Sequence, residues 1–120
     1  MSKNQKLDKC PEIIARAADD KKAKDIVILD MRGITLIADY FIICHGNSTT
    51  QTKAIADSIE EKMREQGNRV LRREGVSEGN WILLDFSDCV VHIFTEQERE
   101  FYGLERLWAD AKRVEFQATV

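Results

Sequence analysis

Two apolar runs, WILLDF at residues 81–86 and CVVHIF at residues 89–94, are separated only by Ser87 and Asp88. So short a connection admits one arrangement, an antiparallel hairpin, and its two-residue loop fixes the register. Phe86 then opposes Cys89, Leu84 opposes Val91 and Ile82 opposes Ile93, and this wholly apolar face belongs in a core. The other face carries Trp81, Leu83 and Asp85 beside Val90, His92 and Phe94. Left uncovered, it would be an unusually apolar surface, whose aromatic groups around a carboxylate suit a protein interface. Covered by a helix, it would be a second core.

The remaining elements build a sheet around this hairpin. Ile26–Leu29, between Asp25 and Asp30, reads as a short buried strand, because four β-favouring residues are too few for helical turns. Residues 40–44, rich in aromatic and β-branched side chains, form a second strand that ends at Gly46. Residues 68–73, around Val70 and Leu71, are a third and more polar one, followed by a loop from Gly75 to Gly79. Leu7, Cys10, Ile14, Ala17 and Ala18 recur at helical spacing, predicting a helix over residues 9–22 with Asp8 as cap and Pro11 in the first turn. Ser48 with Gln51 matches a capping box, and Ile55, Ile59 and Met63 line one face of the helix that follows, which Gly67 stops. Thr95 with Glu98 repeats the box and opens a last helix reaching about Ala111. Its stripe of Phe101, Leu104, Leu107, Trp108 and Ala111 faces the core, Tyr102 falls off it, and Glu105 lies at its border. The order predicts an α/β (α+β) domain covering residues 1–120, a mixed five-stranded sheet flanked by helices.

Composition then excludes classes of function. At 120 residues and 43% hydrophobic, the chain can bury one core without disulfides or metals. Its 18 basic and 21 acidic residues leave a net charge of −3, without the positive field that DNA binding uses, so a partner steered by charge is basic. No apolar run approaches the roughly 20 residues that cross a bilayer. Cys10, Cys44 and Cys89, an odd number in apolar surroundings, read as reduced thiols, placing the chain in the cytoplasm or an organelle matrix.

Chemistry finds little support. Cys44 with His45, and Cys89 with His92, are one and three residues apart, so on extended strands each pair points to opposite faces and neither chelates a metal nor forms a nucleophile pair. Gly46, Asn47 and Ser48 sit between a strand and a helix N-terminus, where amides can hold a phosphate. A nucleotidyltransferase would also need metal-binding carboxylates on an adjacent strand. Asp57, Glu60 and Glu61 fall instead on the polar side of the helix, and Asp85 and Asp88 lie at the hairpin without alternate spacing. An ordinary capped helix explains the loop. Arg69, Arg72 and Arg73 could meet a phosphate backbone, but charged residues on an edge strand also block unwanted pairing.

The segments ADDKKAKDIVILDMRG (18–33), DYFIICHGNSTTQTKAIAD (39–57), WILLDFSDCVVHIFTEQERE (81–100) and FYGLERLWADA (101–111) together strongly resemble the ribosomal silencing factor, or Iojap-like, family, over about residues 18–114. The resemblance implies a degenerate nucleotidyltransferase-like fold without catalysis or cofactor. It implies binding to the large ribosomal subunit through ribosomal protein L fourteen, with minor ribosomal RNA contacts, blocking subunit joining and so repressing translation. It puts Trp81 in the partner-binding region and implies a homodimer in the free state. With the hairpin pattern and the last helix it nominates Trp81, Leu83, Asp85, Val90, His92, Phe94, Tyr102 and Glu105 as partner-binding residues, and no metal site. Ser87 stands where the family commonly has glycine, and Cys44 and His45 where it has small residues. The competing reading is a nucleotide-handling enzyme built on the Gly46–Ser48 loop.

Overall fold

The computed structural model describes residues 2–116, with side chains from residue 9 onward. In chain order the elements are α1 (Ser2–Asp20), β1 (Lys24–Asp30), β2 (Tyr40–Gly46), α2 (Thr49–Glu65), β3 (Arg72–Glu74), β4 (Trp81–Asp85), β5 (Cys89–Thr95), α3 (Glu96–Tyr102), α4 (Leu104–Leu107) and β6 (Lys112–Val114). The strands form one mixed sheet in the order β3-β4-β5-β2-β1-β6. Among the described residues only β2 and β5 run parallel, with Tyr40 beside Cys89 and Gly46 beside Thr95. The hairpin register is the one its two-residue loop dictates: Ile82 pairs with Ile93 and Leu84 with Val91, and the Phe86 amide donates to the Cys89 carbonyl at 2.9 Å.

Alternation along the central strands sends side chains to two separate cores. Ile42 and Cys44 of β2, Val91 and Ile93 of β5 and Ile82 and Leu84 of β4 join Ile14, Ala17 and Ala18 of α1 with Ile55, Ile59 and Met63 of α2. Phe41 and Ile43, with Val90 and Phe94, form the second core against Leu29, Met31, Ala38 and Ala111, with Leu104 and Trp108 packed on it. Two long helices cover the first face. Among the described residues the second is covered by the 31–39 loop, the short α3–α4 segment and the turn after it that carries Trp108 and Ala111.

Several expectations change. α1 begins at Ser2, so Asp8 lies inside the helix and does not cap it, and Pro11 is an interior residue that gives up a backbone hydrogen bond; Leu7 lies outside the described side chains. The third strand is Arg72–Glu74 rather than residues 68–73; Leu71 still donates its amide to the Asp85 carbonyl at 2.7 Å, and Asn68 is used to close α2. Its amide donates to the Met63 carbonyl at 2.9 Å while that of Gly67, at φ 84°, donates to Arg64, two bonds that satisfy the last helical carbonyls. The sheet has six strands rather than five, since residues 112–114 pair with Ile28–Asp30. The last helix is broken: Gly103 takes a left-handed φ of 54°, ends α3 and precedes the separate short helix α4. The expected stripe is therefore split: Leu104, Trp108 and Ala111 pack on the second core, whereas Phe101 and Leu107 are 75% and 70% exposed. Thr95 precedes α3 without a capping side-chain bond, leaving Glu96 and Glu98 to favour the helix start by charge.

The start of α2 keeps its expected cap and adds to it. Ser48 Oγ accepts from the Gln51 amide at 3.1 Å, and Gln51 Oε1 accepts from the Asn47 amide at 2.7 Å. Gln51 Nε2 then donates to the carbonyls of Lys21 and Lys22, joining α2 to the α1–β1 turn. Gly46 abuts the same side chain: a Cβ there would lie 3.1 Å from Gln51 Oε1. Ser48→Ala should cost about 1 kcal/mol. Gln51→Ala, which removes three bonds across two segments, should cost about 2 kcal/mol. Urea unfolding of both variants checks the order, and a larger loss for Ser48→Ala would contradict it.

Candidate functional site

The second face of β4 and β5 gathers most of the residues the sequence singled out. The Trp81 ring lies 4.9 Å from that of Phe94 and 4.6 Å from that of Tyr102, between centroids. Its indole Nε1–H donates to His92 Nδ1 at 3.1 Å. His92 in turn meets Phe41 edge-on at 5.1 Å, and Phe41 meets Trp108 the same way at 5.9 Å. Leu83 stands beside His92 and Asp85 beside Val90 in the β4–β5 register. The result is one aromatic layer running from the exposed Tyr102 into the second core.

Depth sorts these residues. Val90, His92 and Phe94 are buried, whereas Trp81, Leu83 and Asp85 are half-buried and Tyr102 is 47% exposed. Of the two arrangements open to this face, the sheet thus uses both: its centre is core, and its β4 rim reaches solvent. Asp85 also shapes the hairpin, its Oδ1 accepting from the Ser87 amide at 2.8 Å where Ser87 sits at φ 81°. Gly75, at φ 76°, is required behind the rim, because a Cβ there would collide with the Trp81 carbonyl.

Glu105 does not join the group. Both its oxygens are held at 3.0 Å by Arg99, a buried side chain that also donates to the Lys24 carbonyl and contacts His45 Nδ1 at 3.0 Å. The Arg99 hydrogen bonds hold the Glu105 carboxyl below its ordinary range. This cluster ties the α3–α4 break to the open ends of β1 and β2. Sequence reasoning passed over Arg99 and over the exposure of Phe101 and Leu107. The available signal was Gly103, an isolated glycine within a helical pattern.

The other candidate centres take simple forms. Cys44 and Cys89 lie in the first core while His45 and His92 point to the opposite face, and burial pushes the Cys44 thiol up to about 12. Among the described residues no cluster of three or more His, Cys, Asp or Glu converges as a metal site. At the Gly46–Ser48 loop the Asn47 and Gln51 amides, which an anion would use, already donate to Gln51 and Ser48 side chains. Arg72 and Arg73 pair with Glu74 and Glu60 at 3.2 and 2.9 Å.

Comparison with known proteins agrees with this architecture. The family model described as "Ribosomal silencing factor during starvation" matches residues 4–120. The ribosomal silencing factor of Bacillus subtilis is 53% identical over 100 residues, 83% of this chain and 85% of that protein. That of Halalkalibacterium halodurans is 47% identical over 109 residues, 91% of this chain and 93% of its own length. A crystal structure of a Bacillus halodurans protein superposes with a TM-score of 0.79 at 44% identity, covering 93% of this chain and 99% of that one. The chain belongs to the ribosomal silencing factor family.

Burial lowers the His92 imidazole from 6.5 to about 4, and burial followed by the Arg99 charge lowers His45. A base whose folded pKa lies below its unfolded value is protonated first in the unfolded chain. Its contribution is therefore complete above about pH 6.5 and is lost as pH falls toward 4. For His92 that separation corresponds to roughly 3 kcal/mol. Urea midpoints should accordingly fall between pH 7 and pH 5, before the carboxylates titrate. Midpoints that stay level over this range would contradict a buried, neutral His92.

Proposed function

We propose that this chain silences ribosomes by binding: the rim of the second face docks on ribosomal protein L fourteen of the large subunit, and the bound protein then blocks small-subunit joining by its bulk. Exposed apolar surface carries this reading. Among the described residues, the large exposed hydrophobics are Ile34, Leu36, Ile37, Leu71, Phe101, Tyr102, Leu107 and Val114, and six of these eight belong to the segments that cover the second face. A monomer with no partner gains nothing from apolar side chains on one face. Trp81, Leu83 and Tyr102 supply aromatic and aliphatic anchors, and Asp85 supplies a negative charge at the rim for a basic protein. Val90, His92 and Phe94 support this rim from beneath, and Glu105 acts on it through Arg99. Steric exclusion asks for affinity and bulk and for no chemistry, so neither cofactor nor metal enters. In the free state a second copy would cover the same apolar rim and so form a homodimer. The site of action is the cytoplasm, where ribosomal subunits meet; among the described residues no helix is long and apolar enough to cross a membrane.

Phe101→Ser and Leu107→Ser change side chains that the fold leaves in solvent, so each should alter stability by no more than about 0.5 kcal/mol. Together they should weaken co-sedimentation with large subunits roughly tenfold or more. Asp85→Asn keeps the oxygen that Ser87 uses and removes the charge, so association should slow and lose salt dependence. Undiminished binding by all three variants would move the docking face elsewhere.

A further inference from the structure

His92 is an unexpected residue for the middle of a core. Burial keeps it neutral at physiological pH, and it sits among Phe41, Trp81 and Phe94 at ring distances of 5.1, 6.0 and 6.3 Å. Its tautomer follows from its partner: an indole Nε1–H can only donate, so His92 Nδ1 must accept and the proton must reside on Nε2. That Nε2 is buried and has no hydrogen-bond partner among the described residues. The opposite tautomer would place two N–H groups face to face. A phenyl ring would fill the space without stranding a donor, whose burial is unfavourable. What imidazole offers and phenyl does not is an acceptor for Trp81.

Trp81 needs one. Its contacts with Phe94 and Tyr102 are tilted ring contacts at 32° and 48°, which hold the indole in the layer without selecting which edge points outward. The hydrogen bond to His92 selects it, because the bond is directional and has a single donor atom to satisfy. We infer that His92 is a positioning residue of the docking face: it turns the Trp81 indole inward by its N–H and so presents a fixed apolar edge at the β4 rim, ready for a partner. Preorganisation of this kind removes the ordering cost that a loose aromatic anchor would incur on binding. The inference rests on the reading that this rim docks on the large subunit.

Two variants and two readouts test it. In His92→Phe the acceptor is lost and the ring volume kept; in His92→Asn an amide oxygen stands near the place of Nδ1. Trp81→Phe assigns the two indole N–H resonances of the free protein to Trp81 and Trp108. The Trp81 indole proton should move upfield in His92→Phe and return toward its original position in His92→Asn. Large-subunit affinity should fall roughly five- to tenfold in His92→Phe, the fold-change of losing about one hydrogen bond, and recover in His92→Asn. An indole resonance unmoved by His92→Phe overturns the inference, as does a moved resonance with unchanged affinity. If His92→Phe does not fold, His92→Asn must retain both resonance and affinity, and loss of either is contradictory. Should the unmodified protein fail to bind large subunits, the docking reading falls, while the indole resonance still decides whether His92 holds Trp81.

Discussion

The parallel pairing of β2 with β5 is the constraint on which the rest of the molecule depends. Each of these strands is buried along almost its whole length, so side chains on both faces of the pair require cover. A parallel connection cannot be a tight turn, and the chain meets this demand by sending α2, β3 and β4 between them. That excursion delivers α2 to the first face and β4 to the flank of β5. The second face must then be closed by what remains, the loop before β2 and the segment after β5. The first is irregular and the second is broken at Gly103, so neither closes it with one regular amphipathic helix, and Phe101, Leu107 and Ile37 stay in solvent.

Under the proposed docking, this division separates stability from recognition. The first core rests on α1 and α2, which are also joined by Ser58 Oγ donating to the Ala17 carbonyl at 3.0 Å and by Gln51 reaching the carbonyls beyond α1. The second core is smaller, mixes aromatic rings with a buried histidine, and grades into the exposed rim through Trp81 and Tyr102. Arg99 anchors the broken α3–α4 segment to β1 and β2, so the rim stands on a fixed base although its cover contains little regular structure. A surface assembled this way can change its exposed side chains without disturbing the packing of α1 and α2.

What was legible in the sequence was what short-range chemistry decides. The two residues Ser87 and Asp88 leave one register, and Ile82 and Ile93 pair accordingly. Ser48, Gln51 and Gly67 mark α2 at both ends because capping depends on a few neighbouring atoms. The misses have the opposite character. β6 is the charged triplet Lys-Arg-Val, and only the distant edge of β1 makes it a strand. Gly103 was compatible with a continuous helix by periodicity, yet the Arg99–Glu105 pair closes across the break and fixes it. Whether the Trp81 face was core or surface could not follow from alternation, since that depends on which distant segments fold over it. Seven of the eight nominated residues do share that face or its border; Glu105 is the exception, turned toward Arg99.

In the proposed docking, one face maintains the fold and the rim of the other makes the contact. Hydrogen–deuterium exchange of the protein, free and bound to large ribosomal subunits, tests it most directly. Binding should slow exchange in residues 81–85 and 101–107, where the rim is built, and leave α2 and the Gly46–Ser48 loop unchanged. Protection concentrated at that loop and along α2, with residues 81–85 and 101–107 unaffected, would contradict it.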